Sequence, residues 1–340
     1  MSLIHIDNLS KHFKVLNRHP GLSGAIKDLF SNDFRLVKAV DGISYDIEPG
    51  EIVGYIGPNG AGKSTTIKMM TGILKPTDGQ ITVNGLAPYD NRIKQAQIMG
   101  VVFGQRTQLW WDLPVIESFR ILKEIYHVDQ KTFDAHMELF NDLVGLGALY
   151  GQQVRTLSLG QRMLCDITAS FLHNPQIVFL DEPTIGLDVS VKAKIRTVIK
   201  ELNEMRQTTI ILTTHDLGDV EALCQRIIII DKGKILYDGG IKKVNALFGA
   251  YRTLKLQLDH YNPSTLGTLQ DRLTGHFGLE SGITTGVVED HWTDVTIDQA
   301  RTPLADVLGF VMSSFDVADV RIVEISMEQV VRKVYDGALG

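Results

Sequence analysis

The residue types best able to do chemistry form one unbroken run: Gly57, Pro58, Asn59, Gly60, Ala61, Gly62, Lys63, Ser64 and Thr65. This is the spacing G-x-x-x-x-G-K-[ST], set between the strand-like EIVGYI and a helix-like stretch from Lys63 to Thr71. Glycines let the backbone bend so that successive N–H groups point inward and cradle phosphate oxygens. The following helix adds the positive end of its dipole. In such a loop Lys63 reaches the β- and γ-phosphates, Ser64 offers its hydroxyl to magnesium, and Thr65 serves the α/β region. A second set is Asp181 and Glu182, adjacent carboxylates that close the apolar run IVFL. Ligand crevices of open α/β sheets lie at the C-terminal ends of their strands. There Asp181 suits a metal ion, directly or through water, and Glu182 suits a base that polarises an attacking water. Taken alone, the pair is also an ordinary solvated turn closing a core strand.

The elements that must position these groups are legible around them. Leu3–Phe13 and Val37–Val53 read as strands, followed by the strand ITVNGL, a short helix near Ile93 and the strand MGVVFG. From Gln108 to Cys165 apolar residues recur at three- and four-residue intervals, which predicts a helical block. A buried strand IVFL, a helix Val189–Met205, a strand TTIILTTH and a hairpin turning at Asp231-Lys232-Gly233 follow. Strands alternating with helices imply a mainly parallel sheet covered on both faces. From about Ala250 the order becomes βαββαβ with a terminal helix, which fits a ferredoxin-like α+β domain. There the strands are YRTLKLQLD, GVVED, HWTDVTID and VRIVEI. Thr302 is the expected N-cap of a helix with Pro303 at its first position, and Ser326 with Gln329 the expected capping box of the last helix.

Composition bounds the answer. With 340 residues, 44% of them hydrophobic and 22% charged, the chain is too long for one small core and too apolar for disorder. Its longest uncharged stretch, Ile167–Leu180, is broken by His173-Asn174-Pro175-Gln176, so no membrane span is expected. The start, MSLIHIDNLSKHF, lacks a basic-then-apolar export pattern. Two cysteines, Cys165 and Cys224, build neither a disulfide framework nor a four-cysteine zinc site. A net charge of −6 gives no electrostatic footprint for a nucleic-acid backbone, so no nucleic-acid partner is expected.

The set as a whole resembles the nucleotide-binding subunit of ATP-binding cassette (ABC) transporters, most closely the bacterial drug- and polysaccharide-type exporters. The glycine run looks like their Walker A and IVFLDEPT like their Walker B. Gln105 in VVFGQ matches the Q-loop, and Leu157-Ser158-Leu159-Gly160-Gln161 the signature. Gly186-Leu187-Asp188 matches the D-loop, and His215 in LTTHD the switch histidine. Phe13 stands where this family places the aromatic that stacks on adenine. The resemblance covers about Leu3 to Leu247.

It implies a P-loop NTPase of the ABC ATPase fold, α/β, with a parallel core sheet, an antiparallel β-lobe and a helical subdomain. The ATPase domain would span 1–249, with the helical subdomain at about 106–166 and an insertion at 14–37; the ferredoxin-like domain would span 250–340. It implies ATP and Mg2+ as ligands, the metal held by Ser64, Gln105 and Asp181. Catalysis would fall to Glu182, His215 and Gln105. Ser158, Gly160 and Gln161 of a second copy would close over the γ-phosphate, and Asp188 would couple the two sites of a homodimer. A separate transmembrane permease would be the other partner, with the chain peripheral on the cytoplasmic face of the membrane. Leu159 departs from the family pattern at the signature's first glycine, and Leu164 stands where arginine is common.

Single members have plain readings too: His215 as a structural histidine, Gln105 as a loop amide, Asp188 as a helix N-cap, Phe13 as core. Leu22, Ile26, Leu29 and Phe30 of the insertion share a helical face, which suits packing on the β-lobe or contact with a membrane. Trp110-Trp111 fit either the core or the docking surface for a membrane partner. The alternative function is a soluble ABC-type ATPase acting on ribosomes or nucleic acid, which the acidic balance and the single cassette disfavour. A P-loop kinase or GTPase fits poorly with tandem Asp181-Glu182 beside a signature segment.

Overall fold

The computed structural model describes residues 2–16, 34–104, 106–214, 216–244, 251–258, 263–287 and 292–324. The chain forms two compact units, divided between Ile241 and Lys242. In the first, β1 (Ile4–Leu16), β2 (Phe34–Ile47) and β4 (Asp78–Val83) make an antiparallel sheet in the order β2-β1-β4. The second sheet contains β3 (Ile52–Ile56), β5 (Met99–Phe103), β6 (Ile177–Asp181), β7 (Thr209–Thr213), β8 (Arg226–Asp231) and β9 (Lys234–Gly240). Its order is β5-β6-β7-β3-β8-β9, parallel except for the final hairpin.

Because β6 and β7 are central, both faces are covered, and their sequences are unbroken apolar runs rather than alternating ones. The helices that accompany these sheets include α1 (Lys63–Met70), α2 (Arg92–Ala96), α3 (Val115–Ile125), α4 (Gln130–Val144), α5 (Leu159–Ser170), α6 (Val189–Arg206) and α7 (Leu217–Leu223). One core, including Ile6, Tyr55, Ile67, Phe179 and Ile228, joins the two sheets through α1.

The strands reach further into the segment between Phe13 and Val37 than the sequence shows. β1 runs to Leu16 and β2 begins at Phe34, with Phe13 opposite Val37 and Leu16 opposite Phe34. Leu22, Ile26, Leu29 and Phe30 lie outside the described residues.

The second unit is a ferredoxin-like α+β domain. Its elements are β10 (Tyr251–Leu258), α8 (Pro263–Phe277), β11 (Ile283–Val287), β12 (Trp292–Asp298), α9 (Leu304–Ser314) and β13 (Val317–Glu324). The sheet order β11-β12-β10-β13 is antiparallel throughout. Leu254, Leu256 and Leu258 alternate onto one face and pack with Leu269, Leu273, Val307 and Val311 of the helices.

Two local expectations need correction. β11, ITTGV, begins three residues before the expected GVVED, because its register places Ile283 against Ile297 on the core face; Val288, Glu289 and Asp290 lie outside the described residues. Thr302 does not cap α9. Its buried hydroxyl donates to the Ser281 carbonyl, and Pro303 takes the cap position instead. Ser326 and Gln329 lie outside the described residues.

Candidate nucleotide site

The glycine loop leaves β3 between two other strands. A Cβ on Gly57 (φ 158°) would sit 2.0 Å from the Ile230 carbonyl, and one on Gly62 (φ 112°) 2.4 Å from the Ala39 carbonyl. No other residue type fits either position without moving backbone. The loop is pinned further by Gly233, whose N–H donates to the Ala61 carbonyl at 2.9 Å. Gly62 is the N-cap of α1 and offers no side-chain acceptor to the first helical N–H groups. Such a terminus is complementary to an anion. The Lys63 ammonium donates to the Gly57 and Pro58 carbonyls at 2.6 and 3.1 Å, which holds it against the loop, while Ser64 is exposed.

A cavity of about 790 Å3 opens in front of this loop. Residues 59–65 line it together with Asp181 and Glu182, because the order β6-β7-β3 puts both strand ends at one level. Thr213, at the end of the intervening strand, organises the carboxylates. Its hydroxyl donates to Asp181 Oδ1 at 2.5 Å, and the Glu182 N–H meets both the Thr213 carbonyl (3.0 Å) and Oγ1 (3.1 Å). Glu182 adopts φ 55°, a left-handed conformation that is costly for a residue with a Cβ and is tolerated where surrounding bonds fix it. Gly104 and Arg106 line the same wall; Gln105 between them lies outside the described residues, as does His215. The exposed Ser64 hydroxyl and the Asp181 carboxylate are hard oxygen donors on one cavity, a set that fits magnesium.

Other expected site residues stand apart from the cavity lining. Phe13 is on β1, 36% exposed, with the Lys11 ammonium 5.4 Å from its ring centre. Ser158 caps α5 in a reciprocal box: its N–H donates to Gln161 Oε1 at 2.9 Å, and its Oγ accepts from the Gln161 N–H at 3.2 Å. Gly160 is buried against Val191 of α6, and the neighbouring Leu159 is 39% exposed. Asp188 caps α6, accepting from the Val191 N–H and the Ser190 hydroxyl, whose hydrogen bond leads the effects holding the carboxyl below its usual range. The tandem tryptophans are exposed, Trp110 by 38% and Trp111 by 49%.

A buried network missed in the sequence centres on Asp219. Asp219, fully buried, accepts from Arg196 Nε at 2.6 Å, from the Thr214 hydroxyl at 3.1 Å and from the Thr184 hydroxyl. Asp216 pairs with Lys192 at 2.5 Å. Burial works against the Asp216 charge, but the Lys192 hydrogen bond and the Lys192 and Arg196 charges overcome it and leave the carboxyl below its ordinary value. The Walker B turn, α6 and the start of α7 are thereby joined, with Thr214 and Asp216 taking part. Only LTTHDLGDV signalled it, as polar residues closing a buried strand.

Residues 40–185 match the family model described as ABC transporter. The sequence is 33% identical over 215 residues to the ABC transporter ATP-binding protein NatA of Bacillus subtilis, covering 63% of this chain and 87% of that one. This chain belongs to the ABC transporter ATP-binding proteins. It is also 33% identical over 227 residues to the linearmycin resistance ATP-binding protein LnrL of the same organism, with 67% and 72% of the two chains covered. Its fold is that of the dimeric, ADP- and Pi-bound cassette MJ0796: the TM-score is 0.58 at 23% identity, over 70% of this chain and 98% of that one. As an ABC ATPase the chain binds and hydrolyses ATP. No helix among the described residues is long and apolar enough to cross a membrane.

Proposed function

We propose that this ABC ATPase powers an exporter by ATP-driven closure of two copies of itself beneath a separate transmembrane permease. The observation that carries the reading is a division of labour in the fold. The cavity gathers residues 59–65 with Asp181 and Glu182, whereas the exposed Ser158 end of α5 takes no part in its lining. A second copy turned head to tail supplies that missing wall, as the dimeric cassette MJ0796 supports. The name of LnrL, a resistance protein, favours export.

In this mechanism the loop N–H groups and Lys63 hold the β- and γ-phosphates, with Thr65 beside them and Phe13 against the adenine. Ser64, Asp181 and Gln105 would hold magnesium, which when bound neutralises phosphate charge. Glu182 takes the proton of the attacking water, its backbone fixed by Thr213, and His215 orients that water. Ser158, Gly160 and Gln161 of the other copy present a helix N-terminus to the γ-phosphate, and Asp188 couples the two sites. Trp110 and Trp111 form the exposed anchor for the permease, seating the chain on the cytoplasmic face of the membrane.

The test is Glu182→Gln. Its ATP turnover should fall by about 10²- to 10⁴-fold while ATP accumulates in a stable dimer resolved by gel filtration. Turnover near the wild-type rate refutes the base assignment, and a monomer with bound ATP refutes the two-copy mechanism.

A further inference from the structure

Asp166 is a carboxylic acid in the middle of an otherwise apolar stretch of α5, between Leu164, Cys165 and Ile167, and is 4% exposed. Burying a charge among such neighbours is costly unless hydrogen bonds compensate. They come from the segment that follows Gln105. Asp166 Oδ1 accepts from the Thr107 hydroxyl at 2.8 Å and from the Gln108 N–H at 3.0 Å. The Gln108 side-chain amide donates to the Asp166 carbonyl at 2.9 Å, and Thr107 Oγ1 also accepts from the Leu109 N–H. One turn earlier on the same helix face, the Arg162 guanidinium lies 5.3 Å from the Trp111 ring centre. On the other side, the Arg155 N–H donates to the Trp111 carbonyl and the Val154 N–H to the Leu113 carbonyl, just before Ser158.

Residues 107–111 therefore connect three places. They begin next to Arg106 of the cavity wall, end at the exposed tryptophans, and rest along their length on the helix that Ser158 caps. We propose that Asp166 is a positioning residue that clamps the segment after Gln105 to the signature helix, so that displacement at Trp110-Trp111 is delivered to Ser158. Nothing else in α5 among the described residues makes a side-chain hydrogen bond to residues 107–111. The assignment rests on the two-copy mechanism above, since Ser158 serves the ATP of the other copy. Burial also drives the Asp166 carboxyl up to about 6, against the Thr107 and Gln108 hydrogen bonds that favour its charge. The group thus sits in a site built to hold it rather than at a solvated surface.

The experiment is a double-mutant cycle in the full chain at neutral pH, with Thr107→Val, Asp166→Ala and both together, and Asp166→Asn as the conservative variant. ATP turnover, KM and the ATP-trapped dimer in the Glu182→Gln background are measured. Each single change should lower kcat by about tenfold with KM within about twofold, and the double change should be no worse than the worse single one. Asp166→Asn keeps the accepting oxygen and should retain kcat within about threefold. Losses that multiply in the double variant, unchanged kcat, or a KM that rises in step overturn the clamp. If Asp166→Ala does not fold, Thr107→Val set against Asp166→Asn decides: equal losses in both overturn the clamp, and a loss confined to Thr107→Val supports it. An absent ATP-dependent dimer in the Glu182→Gln parent overturns the two-copy mechanism itself. An intact parental dimer with multiplicative losses overturns the role of Asp166 alone.

Discussion

Gly160→Ala discriminates between two reasons for a glycine in the signature. In the family mechanism the position is small so that the helix terminus can approach a triphosphate held by the other copy. Within one chain it is small for a different reason: a Cβ would lie 2.6 Å from Val191 Cγ1 and 3.3 Å from Cγ2. Val191 is β-branched and sits in the first turn of α6, where its χ1 has little freedom and its N–H is held by Asp188. The clash is therefore relieved by separating the two helix starts. Overpacking of this kind costs about 1–3 kcal/mol, and replacing glycine by alanine in a helix returns about 0.5–1 kcal/mol. The net loss should lie between about 0 and 2.5 kcal/mol, centred on about 1 kcal/mol, at roughly 2–4 °C of melting temperature per kcal/mol for a unit of this size. Thermal and denaturant unfolding of Gly160→Ala, Val191→Ala and the double variant measure it, with ATP turnover alongside. The double variant should recover the stability lost by Gly160→Ala. Recovery of turnover as well would assign Gly160 to packing within one chain, and continued loss would assign it to the approach of the second copy. A Gly160→Ala protein that melts above the wild type refutes the contact argument outright.

Two further outcomes are expected. The Asp166 carboxyl is raised from an ordinary 3.8 to about 6, so between those values the folded chain binds more protons than the unfolded one. Stability should accordingly fall as pH rises from about 4 to above about 6, by about 3 kcal/mol for a shift of about two units. In denaturant titrations over that range Asp166→Asn should gain on the wild type by this amount; curves that stay parallel would exclude a buried, titrating carboxyl. Replacing Trp110 and Trp111 by alanine should weaken capture of the permease from membranes by about 2 kcal/mol, or roughly 30-fold, with the ATP dissociation constant unchanged. Undiminished capture would remove the docking role.

The phosphate cradle was readable without coordinates because its chemistry is local: glycines, a lysine and a hydroxyl at fixed spacing specify a backbone shape within nine residues. The parallel sheet was readable for a similar reason, since runs such as IVFL and TIILT can be buried only when both of their faces are covered. Elements of the second unit were legible in kind but not in register. A strand's limits are set by which residue faces the core, and that starts β11 at Ile283, ahead of GVVED. The N-cap of α9 went astray because Thr302 found a tertiary partner in Ser281, and capping propensity does not see partners distant in sequence.

The amino-acid order determined which groups are available: Lys63, Ser64, Asp181, Glu182 and the signature around Ser158. Tertiary structure alone decided which of them meet. The strand order brings Thr213 between the phosphate loop and the carboxylates, Asp166 under the segment after Gln105, and Asp219 against Arg196 and Thr184. These partners are 23 to 59 residues apart along the chain. Their meeting depends on how separate strands and helices pack rather than on any periodicity within one, so no local pattern in the sequence encodes it.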